Sequence, residues 1–183
     1  MGRKLLGSVL VTILSLFAAA APSAADIGAG NGEIGFDGGF TEFDSNTVDD
    51  TGTRLALRGG YHFTDLFQLE GQVAAQAAED DIVDVTLTTV MVNAVFNFHP
   101  SPNVVPYFLV GAGTANLDVE VLGFSIDDDS TAYQAAIGSR FFVGSGALAI
   151  RLEASVLSED TFNVDSTHYS AVVGLTWRLG ASP

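Results

Sequence analysis

Cysteine is absent from all 183 residues. No disulfide can staple this fold, so its core, its hydrogen bonds or a membrane must hold it. The same absence excludes a lipid-modified cysteine at a leader cleavage site. Basic residues are nearly as scarce: seven lysines and arginines stand against 22 acids, for a formal net charge of −15. Two of the seven, Arg3 and Lys4, open a stretch that reads as a secretory leader. A basic start is followed by an apolar run over 5–21 and by Pro22-Ser23-Ala24-Ala25, with the small residues a signal peptidase accepts. Taking 1–25 as a signal peptide leaves a single domain over 26–183, with five arginines, no lysine, all 22 acids and a charge of −17. No nucleic-acid partner is expected, because phosphate binding needs a basic footprint. Long hydrophobic runs are also missing. Past residue 25 nothing approaches the ~20 apolar residues of a helical span. Yet 48% of the chain is hydrophobic and only 16% charged. Apolar surface delivered in short pieces is how a β-barrel crosses a membrane.

What the chain does contain is alternation. Eight segments carry it: 31–43, 51–63, 66–78, 84–98, 104–117, 131–143, 147–157 and 167–179. Each is long enough for a tilted strand that crosses a bilayer in ~9–11 residues. The connections alternate in character. Thr64-Asp65, His99-Pro100-Ser101-Pro102-Asn103 and Gly144-Ser145-Gly146 are turn formers. The segments 44–50, 79–84, 118–130 and 158–165 read as longer loops, and they hold 15 of the 22 acids and no basic residue. Tight turns at one end and long loops at the other predict an all-β fold, an eight-stranded antiparallel up-and-down transmembrane β-barrel of the outer-membrane kind.

The parity of the charges decides which face meets lipid. Along ALAIRLEASVL (147–157), Leu148, Ile150, Leu152, Ala154 and Val156 oppose Arg151 and Glu153. Leu55, Leu57, Tyr61 and Phe63 oppose Arg54, Arg58 and His62, and Phe67, Leu69 and Val73 oppose Gln68, Glu70, Gln72 and Gln76. All five remaining arginines, Arg54, Arg58, Arg140, Arg151 and Arg178, fall on the polar parity, as do Glu33, Asp37, Glu70 and Glu153. An arginine turned to lipid at the midplane costs ~2–4 kcal/mol, so five would cost on the order of 10–20 kcal/mol. That is comparable to a domain's net stability of roughly 5–15 kcal/mol. The arginines therefore belong in the lumen, where near-balanced charges can pair. A soluble barrel would reverse the faces, but its outer surface would then be rich in Gln, Ser, Gly and Ala and have no lysine, unlike an ordinary soluble surface. The segments 84–98 and 104–117 do not reveal their phase.

Aromatics gather at strand ends. Phe63, Phe67, Phe98, Tyr107, Phe141 and Trp177 lie near the tight turns, and Phe40, Tyr133 and Tyr169 near the loops. Two such rings match the interfacial girdles of membrane barrels; ordinary core aromatics are the alternative. With these residues in place, VVPYFLVGAGTANLD (104–118), LAIRLEASV (148–156) and VVGLTWRLG (172–180) resemble strands of the small eight-stranded outer-membrane β-barrel proteins. That porin-fold family includes the OmpA transmembrane domain and OmpX-like proteins. The resemblance implies residence in the cell outer membrane of a Gram-negative-type bacterium. It departs at the end, where Gly180-Ala181-Ser182-Pro183 stands in place of the family's terminal aromatic residue.

Function is read from the lumen and the loops. Glu33, Asp37, Arg54, Arg58, Glu70, Arg140, Arg151, Glu153 and Arg178 are expected to form a salt-bridged plug, since eight strands leave room only for side chains. The acid runs Glu79-Asp80-Asp81 and Asp127-Asp128-Asp129 lack an ordered calcium-loop pattern and read as solvated, so no metal site is expected. His168 and Ser170 share a strand face, as a base and nucleophile would, but on the lumen parity. No enzyme activity and no cofactor are expected. The expected partners are outer-membrane lipid, lipopolysaccharide and an extracellular ligand at the acidic loops, with the barrel a monomer. The role is structural or surface-interacting; a narrow pore, and more remotely a lipid-A-modifying enzyme, are the alternatives.

Overall fold

The computed structural model describes residues 29–44, 49–80, 83–98, 103–121, 124–143, 146–161 and 164–179. The expected leader, the turn residues 99–102 and 144–145, and 180–183 lie outside them. Eight strands follow one another: β1 (Gly32–Asp44), β2 (Asp49–His62), β3 (Phe67–Asp80), β4 (Val83–Asn97), β5 (Val104–Val121), β6 (Phe124–Val143), β7 (Leu148–Thr161) and β8 (Val164–Leu179). Each pairs antiparallel with its chain neighbours, and β1 also pairs with β8, so the sheet closes into a barrel with no free edge. Closure satisfies every strand's backbone groups internally, as a spanning sheet requires.

The turn rim carries the expected devices. Thr64 Oγ1 accepts hydrogen bonds from the Phe67 and Leu66 amides at 2.9 and 3.3 Å and tightens the β2–β3 turn. Gly146 leads into β7 at φ 77°, where a side chain would be strained. At the other rim the outcome differs from the reading of long loops. Most of 118–130 is paired strand: the β5–β6 register runs through Leu117↔Asp128 and Asp118↔Asp127 to Val121↔Phe124. β7 and β8 likewise stay paired to Thr161↔Val164, and β3 and β4 to Asp80↔Val83. The acids marked loop by composition, but hairpin arms keep exchanging backbone hydrogen bonds beyond the apolar belt whatever their side chains. The side chains of 43–50, 79–84, 119–127 and 160–165, which include the run Glu79-Asp80-Asp81, lie outside the described residues.

The two faces are inverted relative to a soluble domain. Leu57 is 64% exposed and Phe40 67%, whereas Arg54 is 1% exposed and Glu153 0%. The segments without a legible phase now have one. Leu87, Met91, Asn93, Val95 and Asn97 of β4 and Val105, Tyr107, Leu109 and Ala115 of β5 point inward. The lumen thus has an apolar stripe along β3–β7: Ala78, Leu87, Met91, Ala115, Ala132 and Leu157 toward the hairpin rim, then Val95, Tyr107, Leu109 and Ala136, then Val105, Phe142 and Ala149 at the turn rim. With lipid outside and this stripe inside, apolar residues fall on both faces of β4 and β5, and the alternation blurs.

Glycines set how closely adjacent strands crowd the interior. A Cβ on Gly39 would sit 2.1 Å from the Ala171 carbonyl oxygen, a backbone atom that cannot swing aside, whereas one on Gly59 would meet nothing. Gly39→Ala is therefore expected to cost about 1–3 kcal/mol and Gly59→Ala essentially nothing. The check is the fraction of refolded protein that keeps a compact band in SDS before boiling; equal fractions for both variants would contradict it.

Candidate functional site in the lumen

All nine charged residues assigned to the lumen by parity are buried inside the barrel. The centre is built by five strands. Arg58 of β2 donates through Nε to Asp37 of β1, through one terminal nitrogen to Glu70 of β3 at 3.1 Å and through the other to Glu153 of β7 at 2.7 Å. Arg151, two residues before Glu153 on the same face of β7, donates to Glu70 Oε2 at 2.6 Å and to Glu153 Oε2 at 2.7 Å. Its Nε donates to the Tyr107 hydroxyl at 2.6 Å, which in turn donates to Glu153 Oε2 at 2.7 Å. Two guanidinium groups thus interlock three carboxylates, and a β5 phenol closes the ring. Forked, charge-assisted contacts of this kind are the strong and directional class of hydrogen bond.

A second group lies toward the turn rim around Glu33 of β1. His62 Nε2 is 3.1 Å from Glu33 Oε1, and Arg140 Nε is 3.5 Å from Oε2. The Gln68 amide donates to Glu33 Oε2 at 3.2 Å, and Arg140 also donates to Asn97 Oδ1 at 3.2 Å and to Gln68 Oε1. The Tyr107 ring joins the two groups: the guanidinium carbons of Arg140 and Arg151 lie 4.9 and 4.7 Å from its centroid. Arg178 stacks over Phe142 at 5.3 Å. Direct ion pairs join Glu33, Asp37, Arg58, Glu70, Arg140, Arg151 and Glu153, while Arg54 meets Ser155 and Arg178 lies over an aromatic face.

Tyr107 corrects the girdle assignment. It is 1% exposed and belongs to the lumen, not the outer belt. Its position near a tight turn suggested an interfacial aromatic, but on β5 only the register shows which way it points. Phe40, Phe63, Phe98, Tyr133, Tyr169 and Trp177 are exposed on the outer face, with Phe67 and Phe141 partly so. Ring contacts run from Tyr61 through Phe63, Phe67 and Phe96 to Phe108 and Phe98, with centroids 4.8–5.9 Å apart.

His168 and Ser170 do not face each other as a base and nucleophile. His168 Nε2 lies 3.3 Å from Glu159 Oε1, while the Ser170 hydroxyl donates to Thr41 Oγ1 at 3.0 Å and Thr41 to Gln76 Oε1 at 2.7 Å. Among the described residues no group of three or more His, Asp or Glu side chains is placed to hold a metal ion. The lumen partners that charge alone did not single out are His62, Gln68, Asn97, Tyr107 and Glu159. For His62 and Gln68 the signal was there, since they share the arginine parity.

The family model described as the outer membrane protein beta-barrel domain matches residues 9–178. Among solved structures, the Neisserial surface protein A is similar with a TM-score of 0.72 at 13% identity, over 81% of this chain and 98% of that one. The attachment invasion locus protein Ail of Yersinia pestis is similar at 0.54 and 20% identity, covering 82% and 99%. OprG of Pseudomonas aeruginosa is similar at 0.59 and 12% identity, covering 85% and 99%. At such identities these likenesses concern the fold. No curated protein sequence matches the chain. The family match spans nearly the whole chain, and the barrel it describes is the one observed, so the chain belongs to the outer membrane protein beta-barrel domain family and resides in the cell outer membrane.

Proposed function

We propose that this barrel is a structural and surface-interacting protein of the outer membrane, with a lumen that is closed and not conducting. The single observation that carries the reading is the buried ion-pair ring of Asp37, Arg58, Glu70, Arg151 and Glu153, which reaches across the lumen between four strands. An apolar stretch around Leu87, Met91 and Leu157 lies between it and the hairpin rim and supports the same closure. Displacing the ring to admit a hydrated ion would separate buried charge pairs, which is costly. The barrel acts as a monomer whose apolar wall is solvated by lipid.

The hairpin rim is the part that faces outward. Ail has a structure in complex with the heparin analogue sucrose octasulfate. A polyanion of that kind needs exposed cations, and every arginine of this chain past residue 25 is buried in the lumen. An acid-rich rim instead favours a cationic partner, or lipopolysaccharide bridged by divalent ions. The engagement of His168 by Glu159 and of Ser170 by Thr41 supports a role without catalysis.

The test is single-channel recording of the purified barrel in planar bilayers. We expect no stable large conductance at neutral pH. A steady open level of pore size in most insertions would refute the closed lumen and favour the transport reading.

A further inference from the structure

Arg54 stands apart from the ion pairs. Arg58, Arg140 and Arg151 each contact at least one carboxylate, but among the described residues none lies within ion-pair reach of Arg54. It is 1% exposed, as fully buried as its neighbours. One terminal nitrogen donates to Ser155 Oγ at 3.4 Å, and the other reaches Gln72 when that amide turns its oxygen inward. The Arg54 Nε has no acceptor. The β2–β3 register pairs Arg54 directly with Gln76. The Gln76 oxygen receives the Thr41 hydroxyl at 2.7 Å, and its amide nitrogen, also buried, has no acceptor.

Two buried donors are thus unused on facing positions. Directly paired residues have Cβ atoms roughly 4.5–5.5 Å apart, so one small acceptor can serve both. A buried donor left without an acceptor is costly, and Asp37 and Glu153 act on the Arg54 guanidinium only through space, without touching it. The positive charge selects an anion over a neutral acceptor. The competing acceptor is Asp37 Oδ1 on β1, which lacks a donor while Oδ2 holds Arg58.

We propose that the lumen binds a small monovalent anion, of the size of chloride, between the Arg54 guanidinium and the Gln76 amide, with the Ser155 hydroxyl at its edge. The bound anion completes the donor side of the lumen and makes barrel stability depend on the identity of the anion, not only on ionic strength.

Crystals of the whole barrel grown in sodium bromide test the site directly. An anomalous peak within hydrogen-bonding distance of Arg54 Nε and Gln76 Nε2 is expected. A water in that place, or Arg54 turned onto Asp37, would overturn the proposal. In solution, urea unfolding is compared in sodium chloride and sodium gluconate at equal ionic strength. Chloride should raise the wild-type midpoint, and this rise should be at least halved in Gln76→Leu and lost in Arg54→Met. An equal chloride effect in wild type and Gln76→Leu would overturn the site even if Arg54→Met fails to refold.

Discussion

Replacing Glu153 with leucine is expected to destabilise the barrel by about 3–5 kcal/mol, the scale of breaking a buried ion pair from one side. Glu153 is wholly buried and accepts hydrogen bonds from Arg58, Arg151 and Tyr107. Its removal leaves two guanidinium groups sharing Asp37 and Glu70 in a buried site. The loss exceeds what the pairs contribute net, because it arises from stranded charge. Urea titration of refolded protein in vesicles, followed by Trp177 fluorescence, reads the midpoint. A shift near zero would mean that water reaches the ring and screens it, and the closed-lumen reading would fall with it. Ring and wall are also linked: the residues of the ring come from β1, β2, β3, β5 and β7, so weakening it loosens contacts between strands far apart in the chain.

The second large effect concerns the outer face. Leu57 lies mid-strand on β2 and points away from the lumen. Leu57→Arg is expected to cost about 2–4 kcal/mol in vesicles, the midplane value for a lipid-facing arginine, while Thr51→Arg near the hairpin rim should cost about 0–1 kcal/mol. Both substitutions add the same charge to the same strand face, so the difference isolates depth in the bilayer. Equal costs in lipid would mean that the apolar belt does not sit at Leu57. In detergent, which adapts its thickness to the protein, the gap should narrow.

Arg54, Arg58, Arg151 and Glu153 show why so much of this fold was legible in residue order. A strand has a period of two, so a charge on one parity names the face of every residue in its segment. That was enough for β1, β2, β3, β6, β7 and β8. It failed for β4 and β5, where Leu87, Met91, Val95 and Leu109 line the lumen while Val90, Val92 and Val110 face lipid. A strand with apolar residues on both faces carries no clear phase, and Tyr107 was placed on the wrong face for that reason. Composition also misled at the hairpin rim. The acids of 118–130 belong to paired arms, because the hydrogen bonds that define a strand involve backbone groups that composition does not report.

By itself the sequence determined that the chain closes eight strands around a polar interior, because charge parity and bilayer energetics leave its arginines one affordable side. Only the tertiary structure decided which carboxylate each arginine meets, that Tyr107 completes the central ring, and that Arg54 and Gln76 keep donors unused. Those outcomes depend on register, which brings β1, β3 and β7 side chains onto one guanidinium across the barrel. Register is a property of the closed sheet and of no single strand, so it cannot be read along one.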